Sequence, residues 1–167
     1  MKKRVALIYG GYSSVREVSV KSGKNVFANI DPQRYDAYEV LLRPDGWRVL
    51  LPEGDAEIDR SDFSFLRNGE KVTFDKAFIM IHGTPGENGL LQGYFELLGI
   101  PHTGCSAMTS TLAFDKFACK TYLKEAGIIL AKDHFLRKGE SYSPQDIVEK
   151  LGLPLFVKPN QSFYVWA

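Results

Sequence analysis

The chain has 167 residues, enough for one domain and the opening of another at about 150 residues per domain. Its 44% hydrophobic and 25% charged residues exclude the composition of a disordered chain. Twenty-one Lys and Arg against 20 Asp and Glu leave a net charge of +1, which excludes the strong positive field expected of a nucleic-acid or anionic-membrane binder.

The first element is the apolar run Val5–Tyr9, too short for a helix and stopped by Gly10-Gly11, as in a strand buried on both faces of a parallel sheet. The same brevity excludes a secretory h-region, and no stretch nears the ~20 apolar residues of a membrane span, so a cytoplasmic location is expected. After Gly10-Gly11-Tyr12-Ser13-Ser14 the apolar spacing of Val15, Val18, Gly23, Val26, Phe27 and Ile30 predicts a helix ended by Asp31-Pro32. Tyr38–Leu42 and Ala77–Ile81 predict two further strands. Between them Trp47–Leu51, Ala56–Ile58 and Lys71–Phe74, broken by turn residues, predict a small hairpin insertion on the surface, with the acidic Asp55–Asp62 stretch as its solvated face.

Leu90–Leu98 has helical spacing and stops at Gly99, and Ile100–Gly104 reads as a short strand or loop. Alternating strands and helices predict an α/β parallel-sheet domain over residues 1–104. From 105 onward a helix is expected over Ser106–Ala126, a strand-like piece near Asp133–Leu136, a helix capped by Ser143 with Pro144 in its first turn, and a strand over Leu153–Pro159. Cys105 and Cys119 lack CxxC spacing and nearby His ligands and read as buried or inert thiols. The isolated His102 and His134 read as structural or solvent-facing.

Three features carry chemistry. In Gly10–Ser14 glycine backbone lets a ligand approach at a helix start, but the segment is neither GxGxxG nor a P-loop, and tight-turn structure and ligand contact both stay open. In Ile81-His82-Gly83-Thr84-Pro85-Gly86-Glu87-Asn88-Gly89, a histidine sits at the carboxyl end of a predicted parallel strand, where open sheets bind ligands. There His82 reads equally as a group for an acidic substrate, its tautomer fixed by Glu87, or as a structural strand cap. Lys116 and Lys158 read either as a phosphate-gripping pair or as solvated surface lysines.

In order, Leu7–Ser14 with Glu17-Val18-Ser19 and Ser22-Gly23, Ile81–Gly89 with Leu91-Gln92-Gly93, Ile100-Pro101, Thr103-Gly104-Cys105, Asp115-Lys116 and Gly152-Leu153-Pro154 through Pro159 resemble the D-alanine:D-alanine ligases over nearly the whole chain. The resemblance implies a Rossmann-like pre-ATP-grasp domain with a small β insertion over residues 1–104, followed by the incomplete start of an ATP-grasp domain over 105–167. It implies a homodimeric, ATP- and magnesium-dependent ligase that activates one D-alanine as an acyl phosphate and joins it to another for peptidoglycan precursors. By resemblance, His82 lies at the first D-alanine and serves catalysis, Val18 lines the pocket for its methyl group, and Lys116 and Lys158 contact ATP phosphates. No metal ligand is assigned in this chain, the magnesium ligands being expected in the family's C-terminal part.

Two departures stand out. Where the family carries a glutamate that holds the ammonium of the first D-alanine, this chain has Val15, and the loss of a charge-assisted contact is worth roughly 1.5–3 kcal/mol. Where the family continues into a glycine- and serine-rich phosphate loop and a long C-terminal part, this chain reads Ser162–Ala167. The expectation is a truncated or frame-shifted copy, inactive by itself, with an apolar tail and an exposed β edge near Lys158. The alternatives are a non-catalytic α/β ligand-binding or assembly module, and a related carboxylate-amine ligase such as a D-alanine:D-lactate ligase.

Overall fold

The apolar run Val5–Tyr9 forms the interior of strand β1 (Lys3–Gly10). β1 pairs in parallel with β2 (Tyr35–Arg43) on one side and β7 (Lys76–Ile79) on the other, which covers both its edges, and Val5–Tyr9 are buried on both faces, so the run needs no polar alternation. Helix α1 (Arg16–Asn29) makes the crossover from β1 to β2 and lies directly on β1, because a Cβ at Gly23 would fall 2.4–2.7 Å from side-chain carbons of Tyr9. Beneath α1 the Tyr9 hydroxyl donates to Glu39 Oε1 at 2.8 Å. Burial, and then the neighbouring carboxylate, raise its pKa above the ordinary tyrosine value.

The structure describes residues 2–161 of this computed structural model, in two compact units, Met1–Thr111 and Leu112–Ala167. In the first unit the expected surface hairpin is instead built into the sheet. Pro44-Asp45-Gly46 turns the chain so tightly that β3 (Gly46–Leu50) pairs antiparallel with β2, and β4 (Ala56–Glu57) with β3, giving a mixed five-stranded sheet of order β4-β3-β2-β1-β7. Only β5 (Phe65–Arg67) and β6 (Glu70–Val72) form a separate two-stranded ribbon.

The acidic stretch is not wholly a solvated face either. Asp59 and Asp62 accept from Ser61 and Ser64 in local turns, Asp62 pairs with Lys71, and this turn chemistry lets Phe63 and Phe65 point inward. Phe63, Phe65, Phe74 and Phe95 pack against Ala6, Ile8, Val40 and Leu42 on the sheet face away from α1, so the insertion supplies much of the core. Helix α2 (Leu90–Leu98), ended by Gly99 at φ +67, closes that core with Leu91 and Phe95.

Past α2, His102 bridges to Ala77 at the edge of the sheet; its side chain is 10% exposed, 3.8 Å from Glu96, a structural role. Cys105 is exposed and Cys119 half-buried, so the buried reading fails for Cys105. The helix expected over Ser106–Ala126 is two helices, α3 (Ala107–Phe114) and α4 (Lys116–Glu125). Asp115 breaks it: its backbone is extended at φ −86°, ψ 104°, and its carboxylate accepts from the Ala118 N–H at 2.8 Å, a new N-cap.

In the second unit the strand expected near Asp133–Leu136 does not form; Phe135 stacks on Phe117 instead, with ring centroids 4.4 Å apart. The helix capped by Ser143 is α5 (Pro144–Leu151), ended by Gly152. Leu153–Pro159 carries no continuous strand, only a bridge position at Val157, and Leu153, Phe156 and Val157 are exposed. The apolar tail Ser162–Ala167 lies outside the described residues.

Asp115 also accepts from Gln161 Nε2 at 2.8 Å, and the Ala118 N–H, followed by Gln161, holds its carboxyl below the usual range. Asp115→Ala is expected to cost the second unit about 0.5–2 kcal/mol at neutral pH, whereas Asp115→Asn, which keeps an accepting oxygen, loses only part of that. Because the folded pKa is depressed, this stabilisation is present above the unfolded carboxylate pKa and fades as pH falls through the folded one. Urea unfolding of both variants at neutral and acid pH checks the order and the convergence at low pH.

Candidate functional site

The sheet order places a switch point beside β1: the chain leaves β1 for β2 on one side and returns to β7 on the other. In open α/β sheets the crevice at the carboxyl ends of such strands receives ligands. Both sequence-singled segments of the first unit meet there. Gly10 and Gly11 have φ +98 and +96, and a Cβ would lie 2.4 Å from Leu42 O at the first and 2.7 Å from Ile81 Cγ2 at the second. Only glycine lets the turn cross the strand ends this closely.

Hydrogen bonds then tie the turn to its neighbours. Gly11 N–H donates to Leu42 O at 2.9 Å and Tyr12 N–H to Thr84 O at 3.0 Å, while Ser13 Oγ donates to His82 O at 2.8 Å. Buried Ser19, one turn into α1, accepts from Gly10 N–H at 2.9 Å and donates to Met80 O at 2.7 Å. The seryl groups thus fix the backbone of both strand ends. Their places in the Gly/Ser turn and the helix were visible in the sequence, but the carbonyls they would reach were not.

His82 is half-buried at the head of a loop that holds its own shape. Glu87 Oε2 accepts from Gly83 N–H at 2.5 Å, Glu87 N–H donates to Gly83 O at 2.9 Å, and Asn88 Nδ2 donates to Thr84 Oγ1 at 2.9 Å. Buried Gln92 of α2 donates to Gly86 O at 2.5 Å, leaving its Oε1 without a partner. Gln92 belongs to a stretch the sequence marked only as motif, and its packing against the loop gives it a specific task.

Val15 stands at the start of α1 with φ −90 and no side-chain cap; the Arg16 and Val18 N–H groups donate instead to the backbone carbonyls of Ser13 and Val15, at 3.2 and 3.1 Å. Val18, in the first turn of α1, is 53% exposed.

Lys116 and Lys158 belong to the second unit. Lys116 opens α4, and Asn160 fastens that end: its backbone carbonyl accepts from Lys116 N–H and Nζ, both at 3.2 Å, and its Oδ1 from Phe117 N–H at 2.8 Å. Lys158 Nζ lies over the Phe156 ring, 5.8 Å from its centroid. Desolvation, and then the charge of Lys158, lower the pKa of Lys116. A polyanion bound there favours the charged form of a desolvated lysine. Among the described residues no group of three or more His, Cys, Asp or Glu is placed to hold a metal ion.

A second crevice of about 340 Å³, lined by Tyr9, Lys24, Leu41, Arg43 and Arg48, includes none of Val15, Val18, His82, Lys116 and Lys158.

Comparison with known proteins bears on both units. Residues 4–105 match the family described as D-ala D-ala ligase N-terminus. The D-alanine–D-alanine ligase of Phocaeicola vulgatus is 49% identical over 161 residues, 96% of this chain and 50% of that protein. The structure of the D-alanine–D-alanine ligase from Coxiella burnetii superposes with a TM-score of 0.84 at 27% identity, covering 98% of this chain and 54% of that one. That of the Bacillus anthracis ligase complexed with ATP gives 0.71 at 31%, covering 96% and 48%. The chain spans about half the length of the curated relatives it matches. With the Gly/Ser turn, the His82 loop and the parallel sheet that joins them all inside the matched segment, this chain belongs to the D-alanine–D-alanine ligase family, whose N-terminal part it carries.

Proposed function

We propose that the chain supplies the first-substrate crevice and the opening of the nucleotide site of an ATP-dependent ligase that joins two D-alanines for peptidoglycan precursors. The observation that carries this reading is the hydrogen-bonded junction of the Gly10–Ser14 turn with His82 at the switch point, in a chain 49% identical over 161 residues to a protein named as that ligase. On this reading residues 1–104 form the substrate domain and 105–167 begin the ATP-grasp domain. Homodimerisation and a cytoplasmic location belong to the same reading; no described helix is long and apolar enough to cross a membrane.

Each residue has a task that its surroundings support. His82, with its backbone held by Ser13, faces the carboxylate of the first D-alanine, where an imidazole orients the group and stabilises charge growing on it. Val18, exposed in the first turn of α1, offers an apolar surface to the methyl group. ATP, when bound, supplies the phosphoryl group that activates that carboxylate. Lys116 and Lys158 meet its phosphates, and the desolvation of Lys116, with the charge of Lys158 nearby, is the feature of this site that fits a polyanion. We assign no magnesium ligand to the described residues.

The experiment is an NMR titration of the chain with each ligand separately. ATP is expected to raise the pKa of Lys116 from its depressed value, read from its side-chain ¹³Cε shift, with a smaller rise in Lys158→Met, where one of the two causes of the depression is already gone. D-alanine is expected to shift the amides of Gly11 and Gly83 and to leave Lys116 unmoved. An unchanged Lys116 at saturating ATP would remove the nucleotide half of the reading; unchanged Gly11 and Gly83 amides would remove the substrate half.

A further inference from the structure

Trp47 lies on β3, outside every segment that the sequence marked for function. Its ring is gripped edge-on by Tyr94, with centroids 5.4 Å apart at 90°, and by Phe63, 6.2 Å apart at 77°. From that grip its indole Nε1–H donates to the hydroxyl of Tyr12 at 2.6 Å. Tyr12 is the middle residue of the Gly10–Ser14 turn, and its own N–H donates to Thr84 O at 3.0 Å. One residue therefore ties the turn in two directions, by its backbone to the His82 loop and by its side chain to the aromatic cluster of the insertion.

Tyr12 is 43% exposed, so burial alone does not hold its ring in place, and the indole hydrogen bond supplies the missing constraint. That bond adds a side-chain tie to the backbone bonds that already hold the turn at Gly11 and Tyr12. Two consecutive glycines with positive φ have many other backbone shapes open to them, and fixing them costs conformational entropy. A turn ordered before the ligand arrives spares the ligand that cost.

We infer that Trp47 and Tyr12 form a latch that keeps the Gly10–Ser14 turn in its ligand-ready shape. Trp47 is thus a positioning residue for D-alanine, acting through Tyr12 and then through Ser13 on the His82 backbone. The inference rests on the D-alanine reading of this crevice. It also gives the insertion a functional task beyond filling the core, because the aromatic cluster is what holds the indole.

The test uses the ¹⁵N-labelled 167-residue chain with Tyr12→Phe, Trp47→Phe and the double variant, Trp47→Phe also identifying the Trp47 indole cross-peak. D-alanine is expected to shift that indole resonance together with the Gly11 and Gly83 amides. Tyr12→Phe keeps the ring and removes only the acceptor; it is expected to leave the melting temperature nearly unchanged, to speed hydrogen exchange at residues 11 and 12, and to weaken D-alanine about three- to tenfold. The double variant is expected to bind no more weakly than the weaker single one, as two ends of one hydrogen bond require.

If Gly83 titrates normally in Tyr12→Phe and neither affinity nor exchange changes, the latch is wrong while the crevice reading stands. If D-alanine moves no amide of the turn or the His82 loop in the unaltered chain, both fall. A purely structural bond lowers melting temperature without moving affinity, and that result also overturns the latch.

Discussion

Phe63→Ala is expected to destabilise the first unit by about 3–5 kcal/mol, the range for deleting a buried aromatic ring. Phe63 is fully buried, and its ring meets those of Trp47, Phe74, Tyr94 and Phe95 with centroids 6.2, 5.3, 6.0 and 4.8 Å away. The cavity left behind cannot collapse easily, because its walls come from β3, from Phe74 just before β7 and from α2. Phe63 also sits at φ +56, a left-handed conformation that costs an L-residue about 1–2 kcal/mol. Alanine keeps that strain and loses the packing that offsets it, so the full loss is expected.

Against a typical total stability of about 5–15 kcal/mol, the variant stands near the edge of folding. Urea unfolding followed by far-UV circular dichroism checks this, with Leu66→Ala, a neighbour 65% exposed, expected within about 0.5 kcal/mol of the unaltered chain. A loss below about 1 kcal/mol for Phe63→Ala would mean that the ring is not a keystone of the core. Since Phe63 also backs Trp47, the variant is expected to loosen Tyr12 even in conditions where the unit stays folded.

Phe63 also marks where sequence reading stopped. The parts set by local chemistry were legible: an apolar run of five residues ended by two glycines, a helix stopped by Gly99, a Ser143-Pro144 helix start. Each such signal acts within a few residues of itself. What failed depended on partners far away in the chain. Trp47–Leu51 reads as a short β piece, but nothing within it says that Leu42 and Val40 are its neighbours across the ladder. The charges around Phe63 suggested solvent, whereas Asp59 and Asp62 spend their oxygens on local serines and turn the aromatic residues inward.

Asp115 is an intermediate case. Helical periodicity runs through it, and only its capping bond to Ala118 shows that one helix has ended and another begun. The strand expected around Asp133–Leu136 has no ladder partner among the described residues, and the one expected over Leu153–Pro159 is reduced to a bridge position at Val157; local β propensity alone does not make a strand. For the site, the turn, His82 and the two lysines were legible as candidates from residue type and position, and the family resemblance implied their roles. The bonds that organise them, from Ser13, Ser19, Gln92, Asn160 and Trp47, join residues up to 69 positions apart and carry no local signature.

Val15→Glu is expected to tighten D-alanine binding by at least tenfold. In the family a glutamate at this position is expected to hold the ammonium of the first D-alanine, and a hydrogen bond to a charged group contributes about 1.5–3 kcal/mol, or ten- to more than a hundredfold in affinity. The backbone is already suited to the change. Val15 is at the start of α1, its side chain caps nothing, and its backbone at φ −90 is open to any L-residue. A carboxylate there also meets the positive end of the α1 dipole, which adds about 0.3–1 kcal/mol of stability, so the variant is expected to melt slightly higher than the parent.

Val15→Gln separates charge from shape: it keeps the length and an accepting oxygen, and is expected to recover only a small part of the gain. The advantage of Glu over Gln should fade as pH falls through the carboxylate range, since the protonated acid no longer attracts the ammonium. Isothermal titration of D-alanine into the three chains at neutral and acid pH reads all of this. Equal affinities for Glu and Gln at neutral pH would mean that the ammonium is held elsewhere in the crevice, and that valine at this position costs the chain nothing in recognising its first substrate.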